Sequence, residues 1–214
     1  MNKGRTNGVK TLQIISDKVC KAYDLRPVLT DISLTIERGT TLGITGRNGS
    51  GKSTLLKILA NVLEKTSGSV EWMIGNERIK EETLPRHLGY VAPYLELYLE
   101  FSIVELLKIL GRIRGVSPDM DYVSHLLERF ELADRTKERI ESFSSGMRQR
   151  VKYILALSHH PDFLMLDEPM TNLDEDGQAI VRKTISREAF ERITVIATNE
   201  KEDLSLCTHR ISLD

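Results

Sequence analysis

Apolar and polar residues alternate along the first part of the chain. The alternation runs through residues 11–23 and again through residues 28–36, and it is typical of half-buried antiparallel strands. Turns at residues 66–69 and 75–76 enclose the apolar segment 70–74, which predicts a further hairpin. The sequence therefore predicts an antiparallel β part near the N-terminus.

Short continuous apolar runs predict a second set of strands, which we expect to be more deeply buried. These runs occupy residues 40–45, 88–92, 163–166, 193–198 and 211–213. Continuous runs are typical of a parallel sheet whose two faces are covered. We expect the run at 163–166 to form a central strand beside the loop that follows residue 45.

Between residues 93 and 160 the apolar positions take the spacing of amphipathic helices. Three stripes begin at Ile103, Val123 and Met147, and their members recur three or four residues apart. The tripeptide Ser-Pro-Asp at residues 117–119 marks a helix start with proline near the first turn. The sequence therefore predicts a helical insertion.

One glycine-rich motif joins an apolar strand to a helix. Residues 46–54 fit G-x-x-x-x-G-K-[ST] at every fixed position, and apolar residues at helical spacing follow from Leu55 to Val62. Glycines let consecutive backbone N–H groups wrap a phosphate, and a helix opening near Gly51 adds free amides. We expect a nucleotide to bind Gly46, Arg47, Asn48, Gly49, Ser50, Gly51, Lys52, Ser53 and Thr54.

Individual side chains near this motif have predicted roles. The Lys52 ammonium is expected on the β- and γ-phosphates, the Ser53 hydroxyl on Mg²⁺, and Thr54 on the α-phosphate side. Tyr23, on the first predicted strand, offers a ring on which a purine base can stack. That tyrosine packing only on the sheet is the alternative interpretation.

Two carboxylates follow the apolar run at 163–166. Asp167 and Glu168 are expected at the carboxyl edge of the parallel sheet, where ligands bind in open α/β folds. Asp167 is suited to hold Mg²⁺ through its water shell, and Glu168 to orient or deprotonate the attacking water. An Asp-Glu pair on a solvated surface would be the alternative.

These features predict the α/β fold class, with the RecA-like core of P-loop NTPases, an antiparallel β subdomain and an α-helical insertion. The chain of 214 residues is long enough for one such unit and too short for two nucleotide-binding cassettes. We expect a single domain over residues 1–214. Its core is predicted at residues 1–92 and 161–214, and its helical subdomain at residues 93–160.

Charge and hydropathy restrict the partners. The chain has 30 Lys plus Arg and 31 Asp plus Glu, a net charge of −1, so no overall field attracts nucleic acid or an anionic membrane. No apolar run approaches the ~20 residues of a membrane-spanning helix. Residues 1–5 are not followed by a signal-peptide core. We expect a cytoplasmic chain with no nucleic-acid partner.

The segment Phe-Ser-Ser-Gly-Met at residues 143–147 opens a helix just upstream of the carboxylates. It resembles the L-S-G-G-Q signature of the ATP-binding cassette (ABC) family. The resemblance extends to Tyr23, the phosphate loop, the strand before Asp167 and Glu168, and residues 171–174, which are similar to the family's D-loop. It implies that ATP also contacts Ser144, Ser145, Gly146 and Asp174.

The resemblance implies a head-to-tail dimer, homomeric or formed with another cassette. In such a dimer two ATP molecules lie between Lys52 of one subunit and Ser144 of the other, and loss of the γ-phosphate opens the dimer. The family resemblance further implies ATP hydrolysis that powers a transmembrane permease, docked around residues 93–101 at the cytoplasmic face of the cell membrane. Within the family the chain looks most like small exporters, including the haem-exporter ATPases.

Two positions depart from the family's pattern. Pro93 stands where the family has a glutamine that reaches Mg²⁺ and water, and Asn199 stands where it has a histidine that contacts the γ-phosphate. Asn199 is expected to act there as a neutral donor, which predicts slow turnover. Two alternatives stay open: an ATP-gated binding module that barely hydrolyses, and a non-transport ABC ATPase acting on ribosomes or DNA.

Overall fold

A computed structural model describes residues 10–213 of the chain. Residues 1–5, where we expect no secretion signal, lie outside the described residues. The alternating N-terminal segments form a four-stranded antiparallel sheet in the order β2-β1-β4-β5. Its strands are β1 (Leu12–Tyr23), β2 (Arg26–Glu37), β4 (Ser67–Ile74) and β5 (Glu77–Arg78). The predicted antiparallel part is confirmed.

The turn predicted at residues 66–69 is wrong in part, because β4 already begins there. Ser67 pairs with Cys20 of β1 across a register shift. Gly68 has a φ of +85°, and a Cβ on it would lie 2.3 Å from the carbonyl oxygen of Lys18. The start of β4 is therefore an irregular strand segment that requires glycine. Its glycine and serine content is also typical of a turn, which explains the wrong prediction.

The continuous apolar runs form a five-stranded parallel sheet in the order β6-β7-β8-β3-β9. Its strands are β3 (Thr41–Thr45), β6 (Leu88–Val91), β7 (Phe163–Asp167), β8 (Ile193–Ala197) and β9 (His209–Ser212). Although β8 lies between β7 and β3, β7 is an interior strand whose carboxyl end reaches the phosphate loop, since Asp167 accepts a hydrogen bond from Ser53. The expected strand beside that loop is therefore confirmed.

The parallel sheet is the middle layer of the molecule. On β7, Phe163 and Met165 join a buried cluster with the antiparallel sheet and with helix α1 (Lys52–Leu59). Leu164 and Leu166 face the opposite way, into a cluster built with the remaining long helices. Both faces of β7 are therefore dry, which explains its uninterrupted apolar sequence.

The second cluster contains the helical insertion. Its apolar stripes lie on α2 (Ile103–Arg114), α3 (Met120–Arg129) and α4 (Ser145–Leu157), together with α5 (Glu175–Glu188). A capping box between Ser102 and Glu105 starts α2. The insertion thus packs directly on the sheet, and its boundaries at residues 93 and 160 stay a prediction.

One predicted helix boundary is corrected and another is confirmed. Helix α1 ends at Leu59, and Val62, which continues the apolar spacing, lies beyond the helix and is exposed. The helix start predicted at residues 117–119 is confirmed, because Asp119 caps α3 by accepting a hydrogen bond from Tyr122 N–H and Pro118 directly precedes this cap. Apolar spacing alone therefore locates these helices to within a few residues.

A short helix, α6 (Lys201–Leu204), precedes β9. None of the helices between residues 10 and 213 combines the length with the hydrophobicity needed to cross a bilayer.

Candidate nucleotide-binding and catalytic site

The phosphate loop connects the end of β3 to the start of α1. Gly46, Gly49 and Gly51 have φ values of +142°, +84° and +101°, which explains why glycine occupies these positions. Gly51 is the N-cap of α1, and no side chain caps the helix. The N–H groups of the first turn therefore stay available for an anion.

Lys52 is the buried cation of this loop. Only 7% of the residue is exposed, and its ammonium donates to the carbonyl oxygens of Gly46 at 2.9 Å and Arg47 at 3.2 Å. The loop's own main chain thus holds a positive charge in its interior. This position agrees with the predicted contact to the β- and γ-phosphates, which stays a prediction.

Asn199 follows β8 and contacts the same loop. In one orientation of its amide, Nδ2 donates to Asn48 Oδ1 at 2.9 Å. In the reversed orientation the nitrogen donates to Gly46 O at 2.6 Å and the oxygen accepts from Lys52 Nζ at 3.1 Å. Either orientation brings Asn199 to the phosphate loop, as the predicted γ-phosphate contact requires.

Ser53 and Asp167 meet although 114 residues separate them in sequence. The Ser53 hydroxyl donates to Asp167 Oδ1 at 2.9 Å. Asp167 is only 2% exposed, and its second oxygen, Oδ2, is buried without a hydrogen-bond partner among the described residues. A hydroxyl and a carboxylate with an unused buried oxygen are the oxygen ligands that Mg²⁺ prefers, so these residues fit the predicted cation.

Glu168 directly follows β7 and has an unusual backbone conformation. Its φ is +42°, in the left-handed region, while its N–H still donates to Ala197 O at 2.9 Å and so continues the pairing of β7 with β8. Burial raises the pKa of the Glu168 carboxyl, the charge of Asp167 raises it further, and Lys52 opposes both. A carboxylate with a raised pKa is a better general base near neutral pH.

Thr198 and Asp203 support Glu168, and sequence reasoning assigned no role to them. Thr198 Oγ1 lies 3.4 Å from Glu168 Oε2 and 3.1 Å from Asp203 Oδ2. Asp203 is buried, which raises its pKa. A polar residue at the end of a predicted core strand, as Thr198 is, was the available signal. Asp203 had no comparable signal.

The signature segment forms the start of α4. Ser144 is the N-cap, and its hydroxyl accepts a hydrogen bond from Met147 N–H at 3.2 Å. Ser144 and Ser145 are exposed, while Gly146 lies close to the main chain of Asn172. Within residues 10–213, no hydrogen bond joins Ser144 to Lys52, whose ammonium donates to Gly46 O and Arg47 O.

Asp174 caps α5, and its carboxylate is already engaged. It accepts from Gly177 N–H at 2.9 Å and from Arg150 of α4 at 3.2 Å. These contacts connect the signature helix to residues 171–174. The predicted contact of Asp174 with ATP stays untested.

Tyr23 lies at the end of β1 and is 46% exposed. The Lys21 ammonium covers its ring at 4.9 Å from the centroid. The β1–β2 hairpin is close to the phosphate loop, since a Cβ on Gly51 would lie 2.9 Å from Leu29 and 3.0 Å from Val28. The position suits base stacking, which remains a prediction.

A strand, a phosphate loop and a helix, with a buried carboxylate on a nearby strand, define a P-loop NTPase. Residues 29–171 match a family model described as "ABC transporter". The chain belongs to this family of ATP-binding cassettes. The predicted family and fold class are confirmed.

The relatives are ATP-binding subunits. The chain is 35% identical over 182 residues to an uncharacterized ABC transporter ATP-binding protein, YybJ of Bacillus subtilis, covering 84% of this chain and 83% of YybJ. It is 31% identical over 204 residues to the daunorubicin resistance ATP-binding protein DrrA3 of Streptomyces coeruleorubidus. That match covers 94% of this chain and 64% of DrrA3, so the chain spans slightly less than two thirds of this relative.

Solved cassettes have the same fold. A dimeric ATP-binding cassette bound to ADP and phosphate superimposes with a TM-score of 0.80 at 23% identity, covering 94% of each chain. At this identity the likeness concerns the fold alone. The haem-exporter subtype is not specified by these comparisons and stays a prediction.

Proposed function

We propose that this chain is the ATP-binding and ATP-hydrolysing subunit of an ABC transporter and that it works with Mg²⁺. One observation carries the proposal: Ser53 contacts Asp167 at 2.9 Å, while the other, buried oxygen of Asp167 has no hydrogen-bond partner in the described part of the chain. Asp167 directly precedes Glu168 in the chain, and Ser53 directly follows Lys52 on α1. Names of relatives that refer to ABC transporters and drug resistance support the transport role.

The residues of the loop bind and orient the triphosphate. The free N–H groups at the start of α1 and the Lys52 ammonium stabilise negative charge on the phosphate oxygens. Ser53 and Asp167 would hold Mg²⁺, which supplies further charge neutralisation at the phosphates. Asn199 would donate to the γ-phosphate, and Tyr23 would stack on the base.

Glu168 is the proposed general base. Its carboxylate accepts a proton from the water that attacks the γ-phosphate, and Thr198 keeps it in place. The raised pKa of Glu168 suits this role because it strengthens the base. The intact carboxylate argues against a module that binds ATP without hydrolysing it.

The second half of the ATP site would come from another cassette. Ser144, Ser145 and Gly146 would contact the γ-phosphate that is held by Lys52 of the opposite subunit, in a head-to-tail dimer. The exposure of Ser144 and Ser145 supports this arrangement, as does the likeness to a dimeric cassette. A homodimer and a heterodimer are equally compatible with these contacts.

The transmembrane partner would dock on the helical insertion. A groove of about 200 Å³ runs between residues 95–98 and helix α2. Tyr98 and Ile113 line it and are 71% and 73% exposed, which is unusual for large apolar side chains. We propose that an apolar cytoplasmic segment of a permease fills this groove, at the face of the membrane where ATP is present.

The experiment is the Glu168→Gln variant with Mg²⁺ and ATP. Loss of the base should lower turnover by about 10² to 10⁴-fold while ATP still binds, so the protein should accumulate as a dimer in light scattering. Glu202→Gln is the matched control, because Glu202 lines a cavity of about 280 Å³ together with Glu168 and is itself exposed.

Turnover at the parental rate would show that Glu168 is not the general base. A variant that stays monomeric while it binds ATP would contradict the shared nucleotide site.

A further inference from the structure

Two tyrosines lie at the end of β6, the strand that pairs with the strand carrying Asp167. Tyr90 is on β6, the neighbour of β7, and Tyr94 follows three residues after the end of that strand. Their hydroxyl groups hydrogen-bond to each other. Burial is the main cause of the raised pKa of both phenols, and the charge of Asp167 adds to it, which brings the pKa of Tyr90 to about 12.

Helix α1 fixes the ring of Tyr94. The Lys57 ammonium lies 4.1 Å from the centroid of that ring. Lys57 and Ser53 are four residues apart on α1 and therefore lie on the same face of the helix. The ring of Tyr94 is thus held on the side of α1 from which Ser53 contacts Asp167.

The main chain before Tyr94 is also anchored. Lys152 of α4 donates from its ammonium to the carbonyl oxygens of Ala92 at 3.1 Å and Pro93 at 3.0 Å. Pro93 itself has no side-chain hydrogen-bonding group. The first polar side chain after β6 is therefore Tyr94, on a segment attached at both its backbone and its ring.

We propose that Tyr94, oriented by the Tyr90 hydroxyl, is a further positioning residue of the Mg²⁺ site and that its phenol oxygen accepts a hydrogen bond from a water in the hydration shell of the cation. This inference rests on the proposed binding of Mg²⁺ and ATP at Ser53 and Asp167. It assigns to a phenol the polar contact that Pro93 cannot make. Tyr90 also lines the groove proposed for the permease.

The test is Tyr94→Phe, which removes one hydroxyl and keeps the ring on Lys57. Binding of a non-hydrolysable ATP analogue is followed while Mg²⁺ is titrated, and again in excess EDTA. The Mg²⁺ concentration at half-saturation should rise about tenfold, the size expected for one lost hydrogen bond to a charged centre. Affinity for the analogue in EDTA should not change. Tyr90→Phe should produce a smaller rise in the same direction.

Tyr98→Phe is the matched control, because it makes the same chemical change four residues further along on an exposed ring. It should leave the Mg²⁺ titration unchanged. Far-ultraviolet circular dichroism and the melting temperature of each variant show whether the fold is retained.

Two outcomes would overturn the inference. One is a Tyr94→Phe protein with the Mg²⁺ dependence of the parent. The other is an equal loss of affinity with Mg²⁺ and with EDTA, which would indicate a structural role in the loop. A parent protein whose binding of the analogue does not depend on Mg²⁺ would instead contradict the proposed function.

Discussion

Helices α1 and α4 both begin at segments that we propose contact ATP, yet their first turns differ. Helix α1 starts at Gly51 with no side-chain cap and with the buried ammonium of Lys52 in the adjoining loop. Helix α4 starts at Ser144, whose hydroxyl already accepts the N–H of Met147. One helix end is open to an anion, while the other partly satisfies its own donors.

The difference indicates which of the two proposed halves of the ATP site, the start of α1 or the start of α4, binds ATP first. Uncapped N–H groups, a positive helix end and a buried cation make the α1 end a strong anion site in a single subunit. The α4 end has fewer free donors and lies in solvent, where charge interactions are weak. We therefore expect ATP to bind first at α1, and α4 to respond to a triphosphate already held by the opposite subunit.

Lys52→Ala should have the largest effect because it removes the cation from the stronger half-site. We expect nucleotide affinity to fall at least about 100-fold, since charge-assisted hydrogen bonds to phosphate are lost. The measurement is equilibrium binding of a fluorescent ATP analogue, and Lys80→Ala on an exposed turn is the control. If the Lys52→Ala variant retained the nucleotide affinity of the parent, the proposed binding of phosphate by this loop would be contradicted.

Substitutions of Ser144 should affect dimerisation and leave binding to α1 intact. In the Glu168→Gln background, Ser144→Ala should weaken the ATP-dependent dimer about tenfold, as expected for one hydrogen bond to a charged phosphate. The change also removes a helix cap, at a cost of about 1 kcal/mol in stability.

Ser144→Asp separates capping from phosphate contact. Aspartate caps a helix as well as serine does, so the melting temperature should be retained, but its charge repels the γ-phosphate and should abolish the dimer. Analytical ultracentrifugation with ATP measures both variants. If the Asp variant dimerises like the parent, no phosphate reaches the start of α4.

Asn199→His should have the smallest effect and acts on the α1 side. An imidazolium would replace a neutral amide next to the loop, and charge assistance should raise the turnover number by up to about tenfold. Steady-state hydrolysis measures the change. The Glu168→Gln, Asn199→His double variant should remain inactive. An unchanged rate in the single variant would show that Asn199 does not limit hydrolysis.

The sequence was most informative where local backbone conformation determines the residue type. Gly49 and Gly51 adopt positive φ values, and this requirement is visible as a motif. Strand order was not predictable in the same way, because only tertiary packing places β8 between β7 and β3. For the same reason Gly68 was interpreted as a turn, although it avoids a clash within a paired strand.

In the candidate site, the sequence indicated residues that belong to a motif and gave no indication of residues defined by their neighbours. Ser53 and Asp167 were each predicted to hold Mg²⁺ from their chemical types, and their side chains are in contact. Thr198 and Tyr94 have no motif, and their proximity to Glu168 and Asp167 depends on side chains from other strands. The sequence showed that Pro93 lacks the polar side chain that the family has at this position, but it led to no prediction for Tyr94, the next residue.

Strand β8 separates β3, which leads to the phosphate loop, from β7, which leads to Asp167 and Glu168, so it sets the distance between these two strands. Adjacent strands lie about 4.8 Å apart, which puts β3 and β7 nearly 10 Å from each other. At its carboxyl end β8 is hydrogen-bonded to both sides: Ala197 O accepts from Glu168 N–H, and Thr198 N–H donates to Ile44 O. The distance between the proposed general base and the phosphate loop is thus set by a buried strand whose own side chains have no role in the proposed reaction.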